Sequence, residues 1–296
     1  MSRIKDFLNS YQTKIDEKHI NEKSTSIPAK SLIDTEKIGI IKILVSLLDL
    51  TTLEGSDTKE KVILMGQKAV NPLAEEAGFP HCAAVCVYPN LIKFAKKGVK
   101  GSDVKVASVA TGFPSGQFPL KLKLADVKYC LQEGAKEIDM VISRGEFLMG
   151  NYNYVYDEIK KVKKICISNK PKKPARLKVI LETGELGSLE NVRKASLIAI
   201  AAGADFIKTS TGKIKPAATL PVMYVMCNAI KDYYSMTGIK IGIKAAGGIR
   251  TTNEAIEYFM LVKEILGNEW LNPDLFRIGA SSLLNDLLSA YKKIKK

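Results

Sequence analysis

Two lysines are set apart by their places in short strand-like runs. Lys208 ends the run Asp205-Phe206-Ile207-Lys208, which continues as Thr209-Ser210-Thr211-Gly212-Lys213. Side chains alternate along a strand, so Lys208 shares the face of Phe206 and turns away from Ile207. An ammonium on an inner face is desolvated, which lowers its pKa and can release a nucleophilic amine. The small polar residues after it supply hydroxyls and unhindered backbone, which suit phosphate. Lys244 repeats the plan in Ile241-Gly242-Ile243-Lys244-Ala245-Ala246-Gly247-Gly248. Two such lysines read as an amine nucleophile and its activator.

Positioning them requires a regular scaffold. Strand-like runs are expected at residues 46–50, 83–88, 104–109, 137–142, 176–181, 206–209, 241–244 and 277–279. Helical patterns lie between them, at 58–69, 120–133, 155–168, 189–202, 221–234 and 253–266, with Gly134, Gly203 and Gly238 as C-terminal stops. Eight strand–helix units make a parallel sheet, and eight strands close into a (β/α)8 TIM barrel. An open doubly wound sheet is the alternative, but no Gly-x-Gly-x-x-Gly follows the first strand. Parity then divides the side chains. Leu48/Leu50, Val85/Val87, Ile138/Met140/Ile142, Leu177/Val179/Leu181, Ile207 and Ile241/Ile243 form the helix-facing set. The opposite set holds Asp49, Cys86, Asp139, Lys178 with Glu182, Lys208 and Lys244. Helices cover the outside of a barrel, so these ionisable groups must meet inside it, where each perturbs the others.

With 296 residues, 46% hydrophobic and 26% charged, the chain suits one large soluble domain. No apolar run is long enough to span a bilayer, and the first twenty residues lack the apolar core of a secretory signal. Five cysteines, an odd number, point to reduced thiols and a cytoplasmic location. Lysine and arginine outnumber acids by 45 to 31, giving +14, but the excess is diffuse and not interleaved with aromatics. Nucleic acid is therefore not the expected partner, and the positive field suits a phosphorylated metabolite. Residues 1–37 are polar, interrupted by Pro28, and read as a loosely docked extension with part-helical character over Arg3–Lys18; Thr35 is the expected cap of the helix that follows. Residues 38–296 form the barrel.

The same segments resemble deoxyribose-phosphate aldolases, class I Schiff-base enzymes on a TIM barrel. The resemblance rests on Leu48-Asp49-Leu50-Thr51-Thr52-Leu53, Val85-Cys86-Val87-Tyr88-Pro89 and Glu137 to Ile142. It continues through Leu177 to Leu186, Phe206 to Lys213, Gly242 to Arg250 and Arg277 to Leu284. The stretch from Leu261 to Leu284 is similar to the eukaryotic-type branch. The resemblance implies reversible cleavage of 2-deoxy-D-ribose 5-phosphate to D-glyceraldehyde 3-phosphate and acetaldehyde, without a metal or other cofactor. It implies Lys208 as the Schiff-base lysine and Lys244 as the cation that favours its neutral amine. Asp139 would be the proton shuttle and Lys178 part of the surrounding network. Thr211, Gly212, Lys213, Gly247, Gly248, Arg250, Gly279, Ser281 and Ser282 would bind the phosphate end, with Asp49, Thr51 and Cys86 beside the substrate. Relatives form homodimers or higher oligomers. The chain departs from many of them in having Ala245 where a proline is usual, and in ending Tyr291-Lys292-Lys293-Ile294-Lys295-Lys296 rather than in a tyrosine.

Plainer roles compete at several positions. Lys178 is either part of the site or the partner of Glu182, and Asp49 either touches substrate or caps the amides of Thr51 and Thr52. Cys86 reads as a small buried lining residue, not a nucleophile. His19 and His81 are the two histidines of the chain, too few for a metal site to be expected. Two other functions remain open: a different Schiff-base aldolase or transaldolase-like barrel, and a non-catalytic basic barrel that binds RNA or a protein.

Overall fold

The computed structural model describes residues 3–27, 32–169 and 172–295. Pro28, expected as a breaker, lies outside them. Eight strands, β1 (Leu48–Thr51), β2 (Ala84–Val87), β3 (Lys105–Ala110), β4 (Glu137–Val141), β5 (Arg176–Ile180), β6 (Phe206–Lys208), β7 (Gly242–Ala246) and β8 (Phe276–Ala280), pair in parallel in chain order. β8 returns to β1, so the barrel is closed. The expected strand positions hold to within two or three residues at each end.

Among the described residues twelve α-helices surround it: α1 (Arg3–Asn9), α2 (Glu17–Ser26), α3 (Asp34–Ser46), α4 (Lys59–Val70), α5 (Ile92–Gly98), α6 (Leu120–Glu133), α7 (Arg144–Leu148), α8 (Tyr152–Asn169), α9 (Leu189–Ala201), α10 (Leu220–Thr237), α11 (Thr252–Leu266) and α12 (Leu283–Lys295). Their starts are chemically marked. The hydroxyls of Thr58, Ser188, Thr219 and Thr251 accept from the third residue of α4, α9, α10 and α11, and Glu254 reaches back to the amide of Thr251 to close a capping box. Gly134 and Gly238 stop α6 and α10 in the left-handed conformation. Helix α3 departs from expectation: its cap is Ile33, whose amide donates to Glu36, and Thr35 lies inside the first turn.

The N-terminal extension is docked, not loose. It is two helices and not one, because the chain leaves helix after Asn9 and Asp16 caps a new one by accepting from His19. Ile4, Leu8 and Tyr11 are buried in the main core. Arg193 donates to the carbonyl of Gln12, and Glu17 accepts from the amide of Leu189, so α9 holds the extension at two polar points as well.

Two apolar layers result. The large one lies between the strands and the helices and contains the predicted outward set, Leu48, Val85, Ile138, Met140, Leu177, Val179, Ile207 and Ile243 among them. The small one is inside the barrel and occupies only the β2–β3 side: Leu53, Ala84, Cys86, Ala107 and Val109, with Tyr88 and Phe113 packed against them. The buried charged side chains Asp49, Glu137, Asp139, Lys178, Lys208, Lys244 and Arg277 come from the other strands. That asymmetry places the site.

Candidate active site

Strand register brings the charged groups together. Lys208 is the cross-strand partner of Lys244, and Asp139 is that of Lys178. Lys208 Nζ and Lys244 Nζ both lie 2.8 Å from Oδ2 of Asp139, while Lys178 Nζ lies 3.0 Å from Oδ1. Lys244 also contacts Asp49 Oδ2 at 2.5 Å, and Lys178 sits 3.3 Å from the same oxygen. One layer deeper, Arg277 spans Asp49 and Glu137, at 2.5 Å from Asp49 Oδ1 and 2.9 Å from Glu137 Oε1. Glu137 in turn bonds Lys178. The Arg277 guanidinium lies against the Phe206 ring, 5.7 Å from its centroid. Gly242 is required opposite that ring, since a Cβ there would stand 2.4 Å from Phe206.

The cluster contains three carboxylates (Asp49, Glu137, Asp139) and four bases (Lys178, Lys208, Lys244, Arg277), all buried. A buried ion without a counter-ion costs several kcal/mol, so the base with the fewest carboxylates is the least able to keep its charge. Lys208 is that base. It has one carboxylate partner where the other three have two or more. Burial, reinforced by the Lys244 charge, lowers the Lys208 pKa despite Asp139. Burial also opposes the charge on Lys244 and Lys178, but their carboxylates outweigh it and raise both. Asp139 is held far below the ordinary carboxylate range, because three lysines overcome the burial that would raise it. Asp49 and Glu137 are lowered in the same way.

Lys208 is also the member of this cluster that opens outward. A cleft of about 700 Å³ lies over the C-terminal ends of β1, β6, β7 and β8, and Lys208 is on its floor. Asp49, Asp139, Lys178 and Lys244 stay beneath the cleft wall. Thr51, Thr211, Gly212, Lys213, Gly247, Gly248, Arg250, Gly279, Ser281 and Ser282 all line it. The two glycine loops meet closely: a Cβ on Gly247 would fall 2.6 Å from Cβ of Ala217, and its φ of +87° already favours glycine. Ser281 and Ser282 lead into α12, a helix of 13 residues rather than the short one usual in barrels, whose N-terminus faces the cleft.

Several expected roles change. Thr209 and Ser210 turn their hydroxyls to the carbonyl of Ala246 and so tie β6 to β7, and neither of these two hydroxyls is offered to an anion. Thr211 donates to Glu182, which is buried, left-handed at φ 56°, and also bonded to Arg144. Lys178 is therefore not the partner of Glu182. Asp49 does not cap Thr51 and Thr52; Thr51 Oγ1 instead donates to the Asp49 carbonyl, and Asp49 is not among the residues that line the cleft. Cys86 is fully buried with Sγ 4.0 Å from Asp139 Oδ2, and burial pushes its thiol up to about 11. It lies beside Asp139 and is not among the residues that line the cleft. Tyr291 donates to Glu76 on the barrel exterior and is buried there, away from the cleft. Among the described residues no group of three His, Cys, Asp or Glu is placed to hold a metal ion, and no helix is long and apolar enough to cross a membrane.

Glu137 and Arg277 went unread in the sequence. The signal was present: Glu137 has the parity of Asp139, and Arg277 that of Gly279. The lysines Lys61 and Lys68 on α4 also line the cleft and carried no such signal.

A closed parallel barrel that presents one deprotonatable lysine to a polar cleft at its C-terminal end has the form of an amine-nucleophile barrel enzyme. Comparison with known proteins agrees. The DeoC/LacD family aldolase pattern matches residues 43–289. The chain is 50% identical over 254 residues to the deoxyribose-phosphate aldolase of Mus musculus, covering 82% of this chain and 78% of that one. It is 49% identical over 253 residues to the deoxyribose-phosphate aldolase of Homo sapiens, with coverage of 82% and 78%. Its backbone is similar to that of the deoxyribose phosphate aldolase of Aeropyrum pernix, whose structure is described as a unique tetramer. The TM-score is 0.68 at 26% identity, over 90% of this chain and 100% of that one. The chain belongs to the DeoC/LacD aldolase family.

Proposed function

We propose that this chain is a deoxyribose-phosphate aldolase, a metal-independent carbon–carbon lyase that cleaves 2-deoxy-D-ribose 5-phosphate reversibly to D-glyceraldehyde 3-phosphate and acetaldehyde. The observation that carries the reading is the position of Lys208, the one base of the buried cluster that is both short of carboxylates and open to the cleft. Its amine attacks the C1 aldehyde of the open-chain sugar. Loss of water from the carbinolamine leaves a protonated imine. A base then takes the proton of the C3 hydroxyl, the C2–C3 bond breaks, and its electron pair moves into the imine to give an enamine. Glyceraldehyde 3-phosphate leaves, the enamine is protonated at C2, and hydrolysis returns Lys208 and acetaldehyde.

Asp139, with water, is the proton acceptor and donor of these steps. Its contact with both Lys208 and Lys244 supports the role, since a proton can pass along one carboxylate oxygen. Lys244 keeps the amine of Lys208 neutral, and Lys178 anchors Asp139. The phosphate would be held by the backbone of Gly212, Gly247, Gly248 and Gly279, by Ser281 and Ser282 at the start of α12, and by Lys213 and Arg250. Residues 38–296 carry the catalytic domain and residues 1–37 are an appendage to it. The protein is cytoplasmic and assembles as a homodimer or higher homo-oligomer, as the tetrameric relative suggests.

Borohydride reduction in the presence of acetaldehyde, followed by peptide mass spectrometry, tests the reading. An ethyl adduct on Lys208 that is lost in Lys208→Ala is expected, together with turnover of 2-deoxyribose 5-phosphate. Folded protein with no adduct at Lys208 would remove the mechanism.

A further inference from the structure

The neutral state of Lys208 depends on a count of charges, and the count includes two residues that the chemistry above does not use. Arg277 and Glu137 form the floor of the cluster. Arg277 is the register partner of Lys244 on β8, and Glu137 precedes Asp139 by two residues on β4, so both lie one layer below the reacting amine. They are buried and tied to each other, Arg277 Nη2 lying 2.9 Å from Glu137 Oε1 and Nη1 lying 3.2 Å from Oε2. Arg277 also holds Asp49, which holds Lys244, and Glu137 also holds Lys178, which holds Asp139. Glu137 therefore reaches the Asp139 carboxylate through Lys178, and Arg277 reaches it through Asp49 and then Lys244. Neither lines the cleft.

We propose that Arg277 and Glu137 are positioning residues whose opposite charges balance the buried cluster so that Lys208 is left as its uncharged base. The inference rests on the imine reading of Lys208. With Lys178, Lys244 and Arg277 charged against Asp49, Glu137 and Asp139, the interior is neutral when Lys208 carries no proton. Removing the positive charge of Arg277 leaves a surplus carboxylate, which a protonated Lys208 satisfies. Removing the negative charge of Glu137 leaves a surplus cation, which disfavours a proton on Lys208 further. The groups that face Lys208 directly are Asp139 from β4, Lys244 from β7 and Cys86 from β2. Cys86 is a neutral thiol, so the charge felt by Lys208 is set through the two others and what holds them.

The test is the pH dependence of borohydride trapping of acetaldehyde on Lys208 in the full chain, with folding checked by circular dichroism. Arg277→Met moves the acid limb to higher pH and slows trapping at pH 7 about tenfold. Glu137→Gln moves the limb to lower pH. The double variant returns the limb toward its original position, although its absolute rate falls. Arg277→Lys keeps the charge without the fork, so its limb stays in place. If Arg277→Met does not fold, the direction of Glu137→Gln and the fixed limb of Arg277→Lys decide the matter. A purely structural role predicts rate losses with no displacement of the limb, and that outcome, or equal displacement by both single variants, overturns the proposal. Absence of any adduct in the unaltered protein is a different result, since it would remove the aldolase reading itself.

Discussion

Lys208 and Lys244, directly paired in register between β6 and β7, direct their Nζ atoms at the same oxygen of Asp139, each at 2.8 Å. Two amines on one oxygen cannot be equivalent. Lys244 has a second carboxylate, Asp49, and Lys208 has none. The unequal sharing raises the pKa of Lys244 and leaves that of Lys208 lowered.

Lys244→Met removes the like charge that disfavours a proton on Lys208 and frees Asp139 and Asp49 to attract one. The Lys208 pKa then rises, and the free amine becomes scarce near neutrality. Aldol cleavage at pH 7 is expected to fall about 10²–10⁴-fold. Imine trapping should recover in part as the pH is raised. Trapping that is reduced equally at every pH would mean that Lys244 supplies a proton but does not tune Lys208.

Stability should share this electrostatic origin. Asp49, Glu137 and Asp139 have folded-state pKa values below their unfolded ones, lysines and Arg277 outweighing burial. The stabilisation they give is thus full above the ordinary carboxylate range and is lost as the pH falls through it toward the folded values. Melting temperatures should be flat from about pH 7 to 5 and then drop below about pH 4.5. Asp49→Asn breaks a buried pair and should cost about 3–5 kcal/mol at pH 7. Its melting temperature should then fall less steeply in acid than that of the unaltered chain. An equally steep fall would place the acid sensitivity elsewhere.

At the mouth of the cleft the charges are solvated and the effects smaller. Lys213 Nζ lies 2.8 Å from Glu54 Oε1, joining the loop after β6 to the loop after β1 across the space a phosphate would enter. Glu54 is more than half exposed, so the pair itself is worth at most about 1 kcal/mol. A phosphate held by Lys213, as proposed, would compete with Glu54 for its ammonium. Glu54→Gln is expected to lower KM for 2-deoxyribose 5-phosphate by about two- to fivefold with little change in kcat. Lys213→Met should raise KM instead. Steady-state kinetics on both variants checks the pair, and unchanged KM in either would detach Lys213 from phosphate binding.

The sequence was most informative where period and chemistry coincided. Alternation exposed the outward apolar set and the inward charges, because a parallel barrel strand has two unlike faces and only one tolerates Asp139, Lys178, Lys208 or Lys244. Register was not legible, so Lys178 could be assigned to Glu182, just past the end of its own strand, when its partners are Asp49 on β1 and Glu137 and Asp139 on β4. Hydroxyl roles were equally hidden: Thr209 and Ser210 have the composition of a phosphate loop but satisfy the Ala246 carbonyl. Arg277 is hidden because its strand-like run, 277–279, is too short for parity to be evident. The docking of Ile4, Leu8 and Tyr11 depends on α8, α9 and α10, far away in sequence, and no local pattern announces it.

Gly279 offers a steric test of the Lys244 position. A Cβ there would stand 2.9 Å from Lys244 Cε and 3.2 Å from Ala246 Cβ. Lys244 cannot yield freely, since its Nζ is fixed between Asp49 and Asp139, so Gly279→Ala must displace it by a few tenths of an ångström or strain β8. Gly279 also lines the cleft, which separates two outcomes. If its main service is room for Lys244, the alanine variant loses kcat by about tenfold or more and shifts the acid limb of trapping upward, while KM changes little. If its main service is backbone contact with phosphate, KM rises and the limb stays. The stem of Lys244 is nearer to the added methyl than any other atom, and it leads directly to the nitrogen that shares Asp139 with Lys208. The first outcome is therefore expected, and a KM effect alone would overturn it.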